Sequence, residues 1–435
     1  MAERSGSLFG PTRLRASNSV RELAEDLGPG IVTGAADDDP SGIATYSQAG
    51  AQFGYGLLWT MLLTYPLMTA VQLVSAHIGR VTGAGLARNF RQLFPRSVVS
   101  FIVLILLVAN IFNIGADLAG MAAAAQLVAG GGSHFFVLGF ALLSAGLQLY
   151  VPYKRYAKAL KWLTLSLFAY VGVVLLVHVD WRDAGAGMIW PRDLGKDALL
   201  TIVALFGTTI SPYLFFWQSS QEAEEIATNR EQKALKRAKL TTASDQYRRI
   251  RIDTLLGMAL SNLIALAIMI ATAATLHSKG VTEIKSAADA ADALRPVAGQ
   301  FAFLLFAVGI IGTGLLAVPV LAGSAAFAVG ETRHWRTGLE YKPKEATHFY
   351  AVIVAAIAVG VVLDWFNFDP MKALFWSAVL NGLAAVPIMA AMMVVASSRK
   401  IMGRFTEHWP IMVFGWVATA VMAAASVATL LTSIS

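Results

Sequence analysis

The sequence predicts an all-α polytopic membrane protein: two sets of five spans in opposite orientation, followed by an eleventh span. Three observations carry that expectation. Of its 435 residues, 56% are hydrophobic and only 14% charged, against about 25% charged in a soluble domain. Apolar runs recur along the chain, each near the ~20 residues that a bilayer-spanning helix needs. Two of those runs, the first and the sixth, are interrupted by proline among polar residues.

The spans fall near 22–52, 55–79, 98–129, 134–152, 160–178, 198–222, 253–276, 298–328, 347–364, 371–397 and 409–433. Span 1 holds Ala35-Ala36-Asp37-Asp38-Asp39-Pro40-Ser41-Gly42. Three adjacent carboxylates in hydrocarbon are costly unless they meet water, a cation or a partner. Pro40 and Gly42 interrupt the helix and free backbone carbonyls, which membrane depth tolerates only where the backbone is buried or lines a cavity. The segment therefore reads as a cation site in a transport path. Span 6 holds Gly207-Thr208-Thr209-Ile210-Ser211-Pro212-Tyr213, a second interruption. Spans 1–5 and 6–10 thus each begin with a broken member. Five is odd, so the two sets are inverted, and paired breaks in inverted repeats point to a transporter site at the bilayer midplane.

The other spans carry weaker signals. Glycine and alanine in spans 3, 8 and 10 indicate close helix packing. Asn110, Asn113, Asn262 and Asn381 read first as interhelical hydrogen-bonding groups. His77, His134, His178 and His277 fall near span ends and read as interfacial.

Basic residues set the topology. Of 34 Lys and Arg residues, 27 fall in the N-terminal segment, the even-to-odd loops from 2–3 to 8–9, and the segment after span 10. The positive-inside rule places that side in the cytoplasm, and an odd span count places the C-terminus outside. The net charge of +7 is thereby a topology signal, and nucleic acid is not an expected partner. One transmembrane domain is expected. It has repeats over about 22–178 and 198–397, span 11 at 409–433, a cytoplasmic tail at 1–21 and a cytoplasmic loop at 222–252 holding an amphipathic helix. The 5–6 and 7–8 loops are expected outside. No signal peptide is recognisable, cysteine is absent, and no zinc-type His pair or nucleotide-binding loop occurs. Neither a nucleophile–base pair nor a cofactor motif is present, so an enzyme is not expected.

These motifs resemble the NRAMP family of divalent-metal transporters, which implies a LeuT-type fold. Gly28-Pro29-Gly30 leading into Asp39-Pro40-Ser41-Gly42 is similar to the family's first span with its Asp-Pro-Gly-Asn motif. Ser211-Pro212-Tyr213 stands where the family has Met-Pro-His. Gln72-Leu73 through Gly79-Arg80-Val81-Thr82-Gly83 resembles the end of its second span, Ala116-Asp117-Leu118-Ala119-Gly120 its third-span acidic pair, and Asp369-Pro370 the start of span 10. The resemblance implies Asp39 as a direct metal ligand, and it places Asn381 beside the site.

The departures from that pattern bear on substrate. Gly42 replaces the family's Asn, Ser211 its Met, Tyr213 its His and Gly120 one acid of the pair. A thioether favours transition metals, whereas carboxylate, carbonyl, hydroxyl and water suit hard cations. Magnesium keeps several waters and uses one or two carboxylates. A roomier, oxygen-only pocket resembles the NRAMP-related magnesium transporters. Thr208, through its carbonyl or hydroxyl, and Ser211, directly or through water, join Asp39 as expected metal contacts. Asp38 is a further candidate, and Gly42 supplies space or a carbonyl. Asp37 is expected on the path. Asp117 is the candidate proton carrier. Tyr213, with a reference pKa of about 10, is a poor proton carrier and is either a packing or a site residue. The expected activity is alternating-access transport or uniport of Mg2+, with Mn2+ also carried and little or no proton coupling. No cofactor is expected beyond the transported cation, and the partners are that cation and the bilayer. The protein is expected as a monomer or weak homo-oligomer in a bacterial cytoplasmic membrane. Two alternatives stand beside this reading: a proton-coupled Mn2+ or Fe2+ transporter, and a transport-inactive receptor or carrier of a neutral or cationic organic solute.

Overall fold

Proline places both helix breaks. Its ring lacks an N–H and crowds the preceding turn, so one helix stops before it and another starts on it. The computed structural model describes residues 29–434 apart from 154, 156–159, 161, 164, 192–194, 229–232, 238–239 and 367. The tail 1–21 and the first residues of span 1 lie outside the described residues.

Span 1 is α1 (Pro29–Asp37) and α2 (Pro40–Phe53), separated at Asp38-Asp39. Then come α3 (Trp59–Thr82), a short α4 (Leu86–Leu93), α5 (Arg96–Ala129) and α6 (Ser133–Tyr150). The fifth span is described as α7 (Phe168–Leu176) with a preceding helical turn, and it bends by 120° into α8 (Trp181–Ile189), where a loop was expected. Span 6 is α9 (Lys196–Thr209) and α10 (Pro212–Thr228). The second half continues with α11 (Leu240–Thr275), α12 (Ala302–Arg333), α13 (Thr347–Asp364), α14 (Pro370–Ser397) and α15 (Trp409–Ile434). Much of the expected 222–252 loop is thus the ends of α10 and α11, with no separate amphipathic helix among the described residues.

Among the described residues nine segments are long and apolar enough to cross a bilayer, counting α9 with α10, or ten if the bent α7–α8 pair is one span. The broken α1–α2 pair, with its acids at the break, is not among them. Large apolar side chains on the outer helices face outward: Phe101 and Leu104 on α5, Leu142 on α6, Val362 on α13 and Leu430 on α15 are all exposed. In a bilayer that surface meets lipid, which explains why the exposed residues are apolar. Inside, α5 packs against α12, α13 and α14, α11 holds both α1 and α2, and α9 lies on α14. The two breaks meet within this enclosure.

Candidate functional site

Asp39 is the centre of the first break. Its backbone is extended (φ −68°, ψ 169°), so it caps α2, with Pro40 as the first helical residue. Its Oδ1 accepts from the Ser41 hydroxyl and the Gly42 N–H, each at 2.7 Å. A capping carboxylate at a helix N-terminus is stabilised by those N–H groups and by the helix dipole. Oδ2 points away from the cap. It accepts from Asn113 Nδ2 of α5 at 3.0 Å and faces the Tyr213 hydroxyl of α10 at 3.4 Å. Tyr213 also donates to the Ala36 carbonyl at 3.1 Å. Tyr213 thus reaches from the second break to the first.

The second break supplies oxygen in two ways. Ser211 donates to the carbonyls of Gly207 and Thr208 at 2.9 and 2.8 Å, closing the end of α9. Its proton is committed there, which leaves only its lone pairs for any other contact. Thr208 Oγ1 comes within 3.0 Å of the point where a Gly42 side chain would begin, and the Tyr46 ring and the Asp37 carbonyl flank the same point. Gly42 thus keeps a gap between Thr208 and the break.

Asp117 lies one turn beyond Asn113 on α5. It is buried, faces the backbone of Ser41 and lies within electrostatic range of Asp39; no side-chain donor among the described residues reaches its carboxylate. Gly120 faces Leu374 of α14, whose Cδ1 would be 2.8 Å from an added Cβ. A side chain at position 120 would have to displace the tip of Leu374. Asn381 is buried on α14 with neither amide atom hydrogen-bonded.

Asp37 and Asp38 belong to a different contact. α1 docks on α11 in register. The Gly30 N–H donates to Asp253 at 2.7 Å, Gly34 lies against Gly257, and Ser261 Oγ meets Asp37 Oδ2 at 2.6 Å and Asp38 Oδ1 at 3.0 Å. Residues 253, 257 and 261 are four apart, so they form one face of α11. A hydroxyl has one proton, so Ser261 satisfies one of these carboxylates and the other needs a further proton or cation. Sequence reading found the acids but missed Ser261, a lone hydroxyl in an apolar run.

The two ends of this assembly differ. Beside α2, between the starts of α9 and α14, a cavity of about 460 Å³ reaches down to Ala44 and is lined by Gln48, Gln52, Asp197, Glu283 and Lys372 among others. At the opposite end charged side chains pair with one another. Arg80 lies 3.5 Å from Glu222 and 3.4 Å from Glu225, and Arg249 lies 3.3 and 3.0 Å from the same two acids. Arg80 Nε also donates to Gln246 at 2.9 Å. Arg80, expected in a loop, is 1% exposed, and Glu222 is fully buried. His77, expected at the interface, is buried too and pairs with Glu407. Buried charges of this kind are retained only when paired.

Among the described residues no three His, Cys, Asp or Glu side chains are grouped so as to hold a metal ion. The oxygen donors around Asp39 are of the types that hard cations take.

The family profile described as "Natural resistance-associated macrophage protein-like", Nramp, matches residues 30–432. A divalent metal cation transporter, MntH, from Deinococcus radiodurans is 28% identical over 420 residues, covering 93% of this chain and 89% of the relative. The fold is similar to that of the Eremococcus coleocola manganese transporter: TM-score 0.74, 19% identity, 97% of this chain and 89% of that one. It is also similar to that of a Na+-coupled sialic acid symporter, at TM-score 0.60 and 10% identity over 93% and 89% of the two chains. Broken first and sixth spans in an all-helical membrane bundle and a profile match over nearly the whole chain agree: this chain belongs to the Nramp family, is built on the LeuT-type fold, and is a membrane transporter, not an enzyme.

Proposed function

We propose that the protein carries divalent metal cations across the membrane by alternating access, with Mg2+ preferred, Mn2+ also carried, and little or no coupling to protons. The observation that carries this reading is Asp39 Oδ2, a carboxylate oxygen at a helix break facing Asn113 and Tyr213. Asp39 is the direct ligand, with Thr208 and Ser211 contributing oxygen or bound water and Gly42 the space. Asp38 and Asp37 draw cations toward the break, while Asp117 and Asn381 line the path. Oxygen donors and room for water favour a small hard ion. The basic end, with α1 and the Arg80–Glu222 cluster, is cytoplasmic in this reading, and the C-terminus is outside. The cavity at Ala44 is then the outer vestibule, above a closed inner end. The assembly is a monomer or weak homo-oligomer in a bacterial cytoplasmic membrane.

A proton-coupled manganese transporter is the second reading. The names of the similar proteins favour it, and so does Met121, whose sulfur shares with Pro40 the space beside Gly314. Proteoliposomes decide between the two. Mg2+ uptake without internal acidification is expected. Mn2+ uptake with acidification and no Mg2+ flux would establish the second reading, and no flux of either ion would overturn both.

Selectivity has its own test. Ser211→Met with Gly42→Asn is expected to raise the Mn2+ over Mg2+ uptake ratio about tenfold, the scale of one ligand exchange (~1.4 kcal/mol). An Asn Cβ at position 42 would lie 3.0 Å from Thr208 Oγ1 and 3.2 Å from the Tyr46 ring, so both must give slightly. An unchanged ratio measured by competition uptake would remove the ligand argument for Mg2+.

A further inference from the structure

We infer that Asn113 is a direct cation ligand, its side-chain carbonyl sharing the ion with Asp39 Oδ2. The inference rests on the proposed site at Asp39. Asn113 is fully buried at the middle of α5. Its Nδ2 is spent on Asp39 Oδ2, at 3.0 Å, while its Oδ1 has no hydrogen-bond partner among the described residues. A buried carbonyl without a donor is destabilising, and a cation at Asp39 would give this one a partner.

The geometry suits a divalent ion. Rotating the terminal amide by half a turn exchanges its nitrogen and oxygen, atoms of nearly the same size. The carbonyl oxygen then stands where the nitrogen is now, 3.0 Å from Asp39 Oδ2. Two adjacent ligands of an octahedral Mg2+ at ~2.1 Å are separated by ~3.0 Å. The spacing between the two residues is thus already that of two neighbouring ligands, and the amide needs only to turn. Without the cation its N–H group holds the Asp39 carboxylate in place; with the cation its oxygen replaces a water. Asp117, one turn along the same helix and in electrostatic range of Asp39, places a second carboxyl group on that side. Among the described residues no other acidic side chain is grouped with these two to form a cage, so a neutral oxygen from α5 fills a place that would otherwise go to solvent.

The alternative role for Asn113 is donation alone, and the two roles separate under substitution. Asn113→Asp keeps an oxygen at the position but removes the donor; Asn113→Ala and the similarly shaped Asn113→Leu remove both. Mn2+ binding to the purified full-length protein by calorimetry, and Mn2+ uptake in proteoliposomes, are measured on the same preparations, with melting temperatures. The expected result is a Kd and KM at least tenfold higher for Asn113→Ala or Asn113→Leu, with maximal rate little changed. Asn113→Asp is expected to bind within threefold of wild type or more tightly. If Asn113→Asp binds as weakly as Asn113→Ala, or Asn113→Ala binds like wild type, the ligand assignment is overturned. Wild-type protein that binds Mn2+ but transports neither Mn2+ nor Mg2+ overturns the transport reading alone, because the Kd series still decides on Asn113. Wild-type protein that binds neither Mn2+ nor Mg2+ overturns both.

Discussion

Asp39→Ala is expected to abolish divalent-cation uptake, by at least ~100-fold, in a protein that still folds. The two halves of that expectation come from the two oxygens. Oδ1 is a helix cap, accepting from Ser41 and Gly42, and losing such a cap costs about 1 kcal/mol. That is small for a bundle whose helices are held along their length by burial, so the melting temperature moves little. Oδ2 is the oxygen offered to the cation. Removing the charged partner of a buried ion costs about 3–5 kcal/mol, and ~2.7 kcal/mol is already 100-fold. Asp39→Asn separates the two roles, since its Oδ1 still accepts at the cap while the charge is gone. Uptake by Asp39→Asn is expected to fall as far as in Asp39→Ala. Wild-type rates in Asp39→Asn would make Asp39 a cap and nothing more, and would move the cation site elsewhere.

What could be read from the sequence were features whose cause is local. Pro40 and Pro212 dictate where α2 and α10 begin, whatever packs around them, so both breaks were visible in the chain. Asp39, Asp117 and Tyr213 stood out because an ionisable or phenolic group at membrane depth has to be accounted for. What was hidden depends on partners remote in sequence. Ser261 meets Asp37 across 224 positions, and Asn113 meets Asp39 across 74; a lone serine or asparagine in an apolar run gives no sign of such a partner. The Arg80, Glu222 and Arg249 cluster was hidden for a different reason. Its arginines counted as loop charges for topology, and only the continuation of α3 to Thr82 and of α10 to Thr228, with the start of α11 at Leu240, brings them together with Glu222. Gly120 shows the converse. Its lack of a carboxylate was plain in the sequence, but the packing of Leu374 of α14 against it was not.

Gly34→Ala is expected to cut uptake at least tenfold, and Gly34→Leu to abolish it, although residue 34 touches no cation in the proposed site. The cause is backbone against backbone. A Cβ built on Gly34 falls 2.3 Å from the Gly257 carbonyl oxygen and 2.5 Å from its carbon, and neither is a side chain that can rotate away. Gly30, four residues earlier, is also close, an added Cβ lying 2.8 Å from Asp253 Oδ2 and from the Thr254 nitrogen. Small residues at this spacing let two membrane helices approach closely. One methyl at 34 forces α1 away from α11. That strains the Gly30–Asp253 hydrogen bond at one end and the Ser261 contact with Asp37 and Asp38 at the other. Because α1 leads directly into Asp39, the displaced helix takes the capping carboxylate with it, and the end closed by the Arg80 cluster opens. The natural chain has no cysteine, so a single introduced one reports this cleanly. Thr33→Cys, at a fully buried position of α1, is expected to resist a membrane-impermeant maleimide in the otherwise wild-type protein and to react at least tenfold faster once Gly34→Ala is added. Gly146→Ala, where nothing lies within 4 Å of the added carbon, is the control and should transport normally. Unchanged labelling together with unchanged uptake in Gly34→Ala would mean that the seating of α1 on α11 does not govern the transport cycle. Faster labelling with normal uptake would mean that α1 can leave α11 without disturbing the cation site, and Asp39 would then have to be positioned by α2 and Asn113 alone.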